Sequence, residues 1–269
     1  MQFEFSLDKL KKHNKKMIAV DLDSTLLRAD KTVSDYTTEI LERCKIDGHL
    51  VVFATARSEC ECKEYSDLIN PHAIISNRGA IVKLGNEIIH RATVDIETSN
   101  QMIKMLINNP NVGFLTVLTE KSYLKNISAD EHDPIWGEYI PDGYTDFSTD
   151  INVETYKISA EIFDEATAGE IVSAFPHVNA VRFSGENWYS YAHKSVSKWE
   201  GIKALAAYIG FNIKDVIAFG DDFSDIEMVR ECGIGVAVGN AIPEVIAVAD
   251  IICDTNDNDG VAKWLEANI

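Results

Sequence analysis

Met17-Ile18-Ala19-Val20-Asp21-Leu22-Asp23-Ser24-Thr25-Leu26-Leu27 is the stretch on which the reading of this chain turns. Four apolar residues run straight into a cluster of carboxylates and hydroxyls. That is the pattern of a buried parallel strand whose carboxyl end opens onto a site. Where the chain stays extended, residues two apart share a face, so Asp21 and Asp23 are expected to point the same way. Two carboxylates at the exit of a buried strand repel each other and resist desolvation. A divalent cation relieves both costs, and a hard oxygen donor set suggests Mg²⁺. In isolation the same residues would also fit an ordinary polar loop start.

Working outward, the pattern recurs. Ser34 is a suitable N-cap for a helix over 35–45, which Gly48 stops. A second apolar run over 50–54 ends in Thr55-Ala56-Arg57, and a helix is expected over 59–69, closed by Asn70-Pro71. A third run over 73–75 ends in Ser76-Asn77-Arg78-Gly79. Strands alternating with helices imply right-handed crossovers and a parallel sheet. In such sheets ligands sit beyond the carboxyl ends of the strands, where Asp21, Asp23, Thr55 and Asn77 all fall. The pattern resumes near the other end of the chain. A strand is expected over 188–193, a helix over 199–209 just after Lys198, and a buried strand over 215–219. That last strand opens into Gly220-Asp221-Asp222-Phe223-Ser224-Asp225.

Between these halves, over 80–187, strand-like pieces are short and alternate in polarity, as in a sheet with one covered face. The expectation is an α/β chain with two domains: a Rossmann-like parallel-sheet core over 1–79 and 188–269, and an inserted α+β domain over 80–187. The segment before Met17 offers Phe3, Phe5, Leu7 and Leu10 for packing and no apparent chemistry.

The 269 residues carry 25 Lys+Arg against 43 Asp+Glu, a formal net charge of −18. That balance argues against nucleic-acid and anionic-membrane partners, which need a basic face. It also means that any phosphate substrate requires a local positive site. Cys44, Cys60, Cys62, Cys232 and Cys253 are odd in number and lack C-x-x-C spacing, which suits reduced thiols in a cytoplasmic protein. The N-terminal residues contain no apolar stretch long enough for a signal peptide or a membrane span. His132, His177 and His193 show no metal-ligand spacing.

Four strand-end motifs now stand in order: Asp21-Leu22-Asp23-Ser24-Thr25; Thr55 in Ala54-Thr55-Ala56-Arg57; Lys198 in Val196-Ser197-Lys198; and Gly220-Asp221 through Asp225. The set resembles the haloacid-dehalogenase-like hydrolase superfamily in its Cof-type phosphatase branch, and Asn240-Ala241 and Asn258-Asp259-Gly260-Val261-Ala262 extend the likeness. The resemblance implies a phosphoric monoester hydrolase acting on small phosphorylated metabolites such as sugar phosphates. Asp21 would be the nucleophile that becomes an aspartyl-phosphate, and Asp23 the general acid and base. Neighbouring carboxylates are expected to help keep Asp23 protonated. Mg²⁺ would be held by Asp21, Asp221 and the backbone carbonyl of Asp23, with Asp225 orienting ligands or waters. Thr55 and Lys198 would hold the phosphate. Asn77 and Asn240 are read as loop-holding residues, and Arg57 as either facing substrate or making a structural ion pair. Ser224 stands where the family usually has Asn, which is expected to alter Mg²⁺ affinity modestly. Trp199 stands where Gly is frequent, packing under its helix or bordering the pocket. The inserted domain would be the cap, with His132, Trp136, Tyr139 and Tyr144 as candidates for its selecting surface. A monomer is the default state. The competing readings are a phosphomutase using the same aspartyl-phosphate, a phospho-acceptor signalling module, and a catalytically silent binding protein.

Overall fold

The structure, a computed structural model, describes residues 15–120, 122–126 and 143–269, with Tyr144 described in its backbone alone. The readings placed on Phe3, Phe5, Leu7, Leu10, His132, Trp136, Tyr139 and the Tyr144 side chain lie outside the described residues.

The chain forms two compact units, one running to Arg91 and again from Ser197, the other Ala92–Val196. In the first, strands β1 (Met17–Val20), β2 (Leu50–Ala54) and β3 (Ala73–Ser76) are joined by β4 (Ile81–Leu84) and β5 (Glu87–Arg91). The later strands β12 (Val216–Gly220), β13 (Ile234–Ala237) and β14 (Ile251–Ile252) complete an eight-stranded sheet in the order β14-β13-β12-β1-β2-β3-β4-β5. From β14 to β3 all pairings are parallel, and β3-β4-β5 are antiparallel. All of β1 is at 0% exposure, as is every residue of β2 beyond Leu50. Helices lie against this sheet, which is why these strands read as unbroken apolar runs and not as alternation. The helix Asp35–Ile46 starts where expected, with the Ser34 hydroxyl accepting from the Thr37 N–H.

Three expectations shift. Over 80–91 the alternating strands extend the first sheet as antiparallel edge strands; alternation there marks thinner cover, not a new domain. Conversely, Trp188–His193 (β11) reads like a core strand because it is buried, yet it pairs between two strands of the second sheet. The units therefore divide after Arg91 and before Ser197 instead of at 80 and 187. The helix expected over 59–69 shortens to Lys63–Ile69. Residues 58–61 are drawn into a turn by Arg57 Nη1 donating to the Glu61 carbonyl and by the Glu61 side chain accepting from the Ser58 N–H.

In the second unit β6 (Val112–Thr119), β7 (Tyr123–Lys125), β8 (Gly143–Tyr144), β9 (Thr155–Ile162) and β10 (Val178–Arg182) join β11 in the order β10-β11-β9-β6-β7-β8. Helices Ile96–Ile107 and Glu165–Ala174 bury Met102, Ile103, Leu106 and Ile171 in one cluster with Leu115, Val117, Ile158, Ala160 and Tyr191 of the sheet. The register sets Thr116, Ser159, Ser190 and Lys125 in one row on the opposite face, all buried. Among the described residues the five cysteines form no disulfide, and no helix is long and apolar enough to cross a membrane.

Candidate active site

The site is built at the carboxyl ends of β1, β2, β3 and β12. Asp21 still donates its N–H to the Phe219 carbonyl at 3.1 Å, so its backbone is held by the sheet, and it is 5% exposed. The chain then leaves the strand in one wide turn, with the Leu26 N–H reaching Asp21 O and the Leu27 N–H reaching Leu22 O. Within that turn Ser24 takes a left-handed conformation, φ 56°. The departure separates the two acids. Asp21 meets Lys198, whereas Asp23 accepts from Arg57 Nε and Nη2 at 2.7 and 2.8 Å and from Lys31 Nζ at 2.8 Å. The expectation that both share one strand face holds only while the chain is extended, and it stops being so at Leu22.

Lys198 begins the helix Lys198–Ile209, whose N-cap Ser197 accepts from the Glu200 N–H. Gly79 lets this helix start approach β3: its φ is 108°, and a Cβ there would stand 2.0 Å from the Ser197 carbonyl oxygen. Lys198 is 1% exposed, and its Nζ lies 2.6 Å from both Asp21 Oδ1 and Asp225 Oδ1. Asp225 Oδ2 accepts from the N–H groups of Asp221 and Asp222, so neither of its oxygens is idle. Gly220 allows that tuck, since a Cβ there would meet Asp225 at 2.4 Å. Asp221 accepts from the Thr25 hydroxyl at 2.7 Å.

Oxygens of Asp21, Asp221 and Asp225 lie within 4.8 Å of one another, all buried. Burial, outweighing Lys198, holds the Asp21 carboxyl well above its ordinary range, and Asp225 and Asp221 add to the effect. Burial and then Asp225 push Asp221 up to about 7. Lys198 goes the other way: burial would lower it, but Asp21 and Asp225 raise it. One ammonium thus faces three carboxylates, a charge deficit that a hard divalent ion fits. Asp21 and Asp221 have the donor chemistry to hold it, while Asp225 is already committed to Lys198 and the 221–222 backbone.

Asp23 contradicts its expected environment. Burial alone would raise it, but Arg57 and then Lys31 outweigh burial and hold it below the usual carboxylate range. Its near neighbours are cations, not carboxylates. Arg57 thereby makes an ion pair, with its guanidinium 5.1 Å from the centre of the Tyr65 ring. Thr55 is 1% exposed and its Oγ1 accepts from the Arg57 N–H, leaving the hydroxyl hydrogen outside that bond. Asn77 braces through its backbone, its N–H donating to the Arg57 carbonyl. Asn240 does hold a loop by its side chain, with Nδ2 donating to Ser24 O at 2.7 Å. Trp199 packs against the core of the first unit. Among the described residues His177 and His193 join no metal-binding group.

The sequence pattern assigns nothing to Lys31 or Thr25. Thr25 stands inside the first motif, and only the fold brings it to Asp221. Arg78 is likewise unassigned: it is 2% exposed at the end of β3, and burial lowers it to about 10.

The pattern of haloacid dehalogenase-like hydrolases matches residues 18–265. A Bacillus subtilis relative, 5-amino-6-(5-phospho-D-ribitylamino)uracil phosphatase YcsE, is 28% identical over 257 residues, covering 92% of this chain and 93% of its own. Among solved structures, the subclass IIB sugar phosphatase BT4131 superposes with a TM-score of 0.82 at 23% identity, covering 94% of this chain and 98% of its own. The phosphatase BT1666 from Bacteroides thetaiotaomicron gives 0.81 at 24%, covering 96% of each. With that match running almost end to end, the chain belongs to the haloacid dehalogenase-like hydrolase family, in its Cof-type phosphatase branch.

Proposed function

We propose that this chain is a Mg²⁺-dependent phosphatase that hydrolyses small phosphomonoesters of polyhydroxylated metabolites through an aspartyl-phosphate on Asp21. The observation that carries the reading is Lys198, sealed from solvent and 2.6 Å from both Asp21 and Asp225, with Asp221 alongside. Such a centre combines a nucleophilic carboxylate, a fixed positive charge and donors for a divalent ion. The named relatives act on a phosphoribityl compound and on sugar phosphates, which supports the ester class. The second unit takes the role of the family's cap.

In the first step an Asp21 oxygen attacks phosphorus, the bond from phosphorus to the ester oxygen breaks, and that oxygen takes the proton of Asp23. In the second, water attacks the phosphoryl group and gives its proton to Asp23, and the bond to Asp21 breaks to release inorganic phosphate. Lys198 and the Thr55 hydroxyl stabilise charge on the phosphoryl oxygens. A divalent ion held by Asp21, Asp221 and the Asp23 carbonyl would neutralise charge at the phosphoryl group. Because Arg57 and Lys31 hold Asp23 ionised, these bonds must loosen before it can donate a proton.

The test is phosphate release from a panel of sugar, polyol, nucleotide and cofactor monophosphates, with Mg²⁺ and then with chelator. Metal-dependent release concentrated on sugar and polyol esters is expected. Release unaffected by chelation, or none from any ester, would overturn the reading.

A further inference from the structure

The chain returns twice, from far downstream, to the loop that carries Asp23. Asn240 follows β13, and Asn256 opens a single turn, Asn256–Asn258, just before the final helix Gly260–Asn268. The two are joined: the Asn256 N–H donates to Asn240 Oδ1 at 3.0 Å, which leaves Asn240 Nδ2 to donate to Ser24 O at 2.7 Å. Asn256, 7% exposed, donates from its own Nδ2 to Leu27 O at 2.8 Å. Asp257 accepts from the Ala29 N–H at 2.8 Å. Asp259 accepts from Arg28 Nη2, Ser34 Oγ and Thr37 Oγ1 at 2.8, 2.8 and 3.2 Å.

These contacts fall where the loop most needs them. Ser24 sits at φ 56°, a conformation that a residue with a Cβ keeps only when its surroundings over-determine it. It follows Asp23 directly, so rotation about the Ser24 backbone swings the Asp23 carboxylate. The loop's own wide turn is closed by the Leu26 and Leu27 N–H groups, and the carbonyls of Ser24 and Leu27 are taken by the two asparagines. An unmet buried carbonyl at Leu27 would favour a different loop path.

We propose that Asn240 and Asn256 are positioning residues for Asp23. Acting through the backbone of residues 24–27, they hold the general acid at one height above the nucleophile while its side chain exchanges partners. The role assigned to Asp23 rests on the phosphatase reading above; the clamp itself rests on the geometry alone.

The experiment compares the wild type with Asn256→Ala and with Asn240→Asp, which keeps the acceptor for the Asn256 N–H and loses the donor to Ser24. Turnover is measured on an alkyl ester, glycerol phosphate, and on 4-nitrophenyl phosphate, whose leaving group needs little protonation. Both variants should lose about 30-fold or more in kcat/KM on the alkyl ester and no more than about threefold on the aryl ester, because kcat/KM reports the first step, in which only the alkyl leaving group needs the proton of Asp23, while the water attack common to both esters enters kcat alone. Hydrogen exchange should speed up by about tenfold at the amides of residues 26–29 and stay unchanged in β1. Equal losses on the two esters would overturn the positioning role. Unchanged exchange at residues 26–29 in Asn256→Ala would overturn the clamp. A wild type inactive on both esters is a failure of the phosphatase reading, told apart because the exchange measurement needs no turnover.

Discussion

Lys198 Nζ lies 2.6 Å from Asp21 Oδ1, and the two side chains are 1% and 8% exposed. An ammonium and a carboxylate joined out of contact with water are hard to separate, so the proposed nucleophile is fixed in place before any substrate arrives. The pair also places a positive charge beside the reacting oxygen in a chain of net charge −18.

Asp21→Asn should lower turnover by at least about 10⁴-fold, since removing a nucleophile removes the covalent route. The swap is nearly isosteric, and the amide keeps an oxygen for Lys198, so the melting temperature should stay close to that of the wild type. Steady-state kinetics and calorimetry check the two halves. Residual turnover above one per cent would exclude Asp21 as the nucleophile.

Lys198→Met should cost both activity and stability. Losing a preorganised charge at the phosphoryl group costs about 10²- to 10³-fold in kcat. Removing one partner of a buried pair costs about 3–5 kcal/mol, because the remaining carboxylates stay buried without a countercharge. The stability deficit should shrink as pH falls and those carboxylates take up protons. Denaturant titrations at several pH values measure it.

Chelating the metal should make stability fall as pH rises. Asp221 is raised from its ordinary value to about 7, so the folded metal-free chain binds more protons than the unfolded one across this interval. Its contribution is favourable at and below the ordinary carboxylate pKa and is lost as pH rises toward about 7. Added Mg²⁺ should reverse the trend, because an ion at a hundred times its Kd stabilises by about 2.7 kcal/mol. Thermal melts with and without chelator, from acid to neutral pH, give the two curves; coincident curves would argue against metal binding at Asp21 and Asp221.

Lys31→Met should raise the proton affinity of Asp23, since one of its two cationic partners is gone. The high-pH limb of the rate profile for alkyl esters should then move to higher pH. Lys31 is half exposed, so the displacement should fade in about 1 M salt, where the Debye length is only about 3 Å. A limb that does not move at low salt would place Asp23 outside the proton transfer.

Where the candidate site gathers could be read without coordinates. Asp21, Thr55 and Asp221 each end an apolar run, and a parallel sheet gathers such ends along one edge. Lys198 could be placed only through the family resemblance, since a lysine at a helix start looks like a surface residue until the fold buries it. The unit boundaries were misread for a local reason: alternation over 80–91 and burial over 188–193 describe how a strand is covered, not which sheet it joins.

The order of strands and helices, the strand-end acids and hydroxyls and the cap of the Asp35–Ile46 helix were written in the sequence, because periodicity, capping and burial are short-range properties of neighbouring residues. The partners of the acids were not. Asp21 and Asp23 are two residues apart, yet one is bound to the distant Lys198 and the other to Arg57 and Lys31. Which cation meets which carboxylate depends on the wide turn at Leu22–Leu26 and on where distant elements bring their side chains. Only the tertiary structure decided that, and with it which acid is held charged and which is pushed toward its proton.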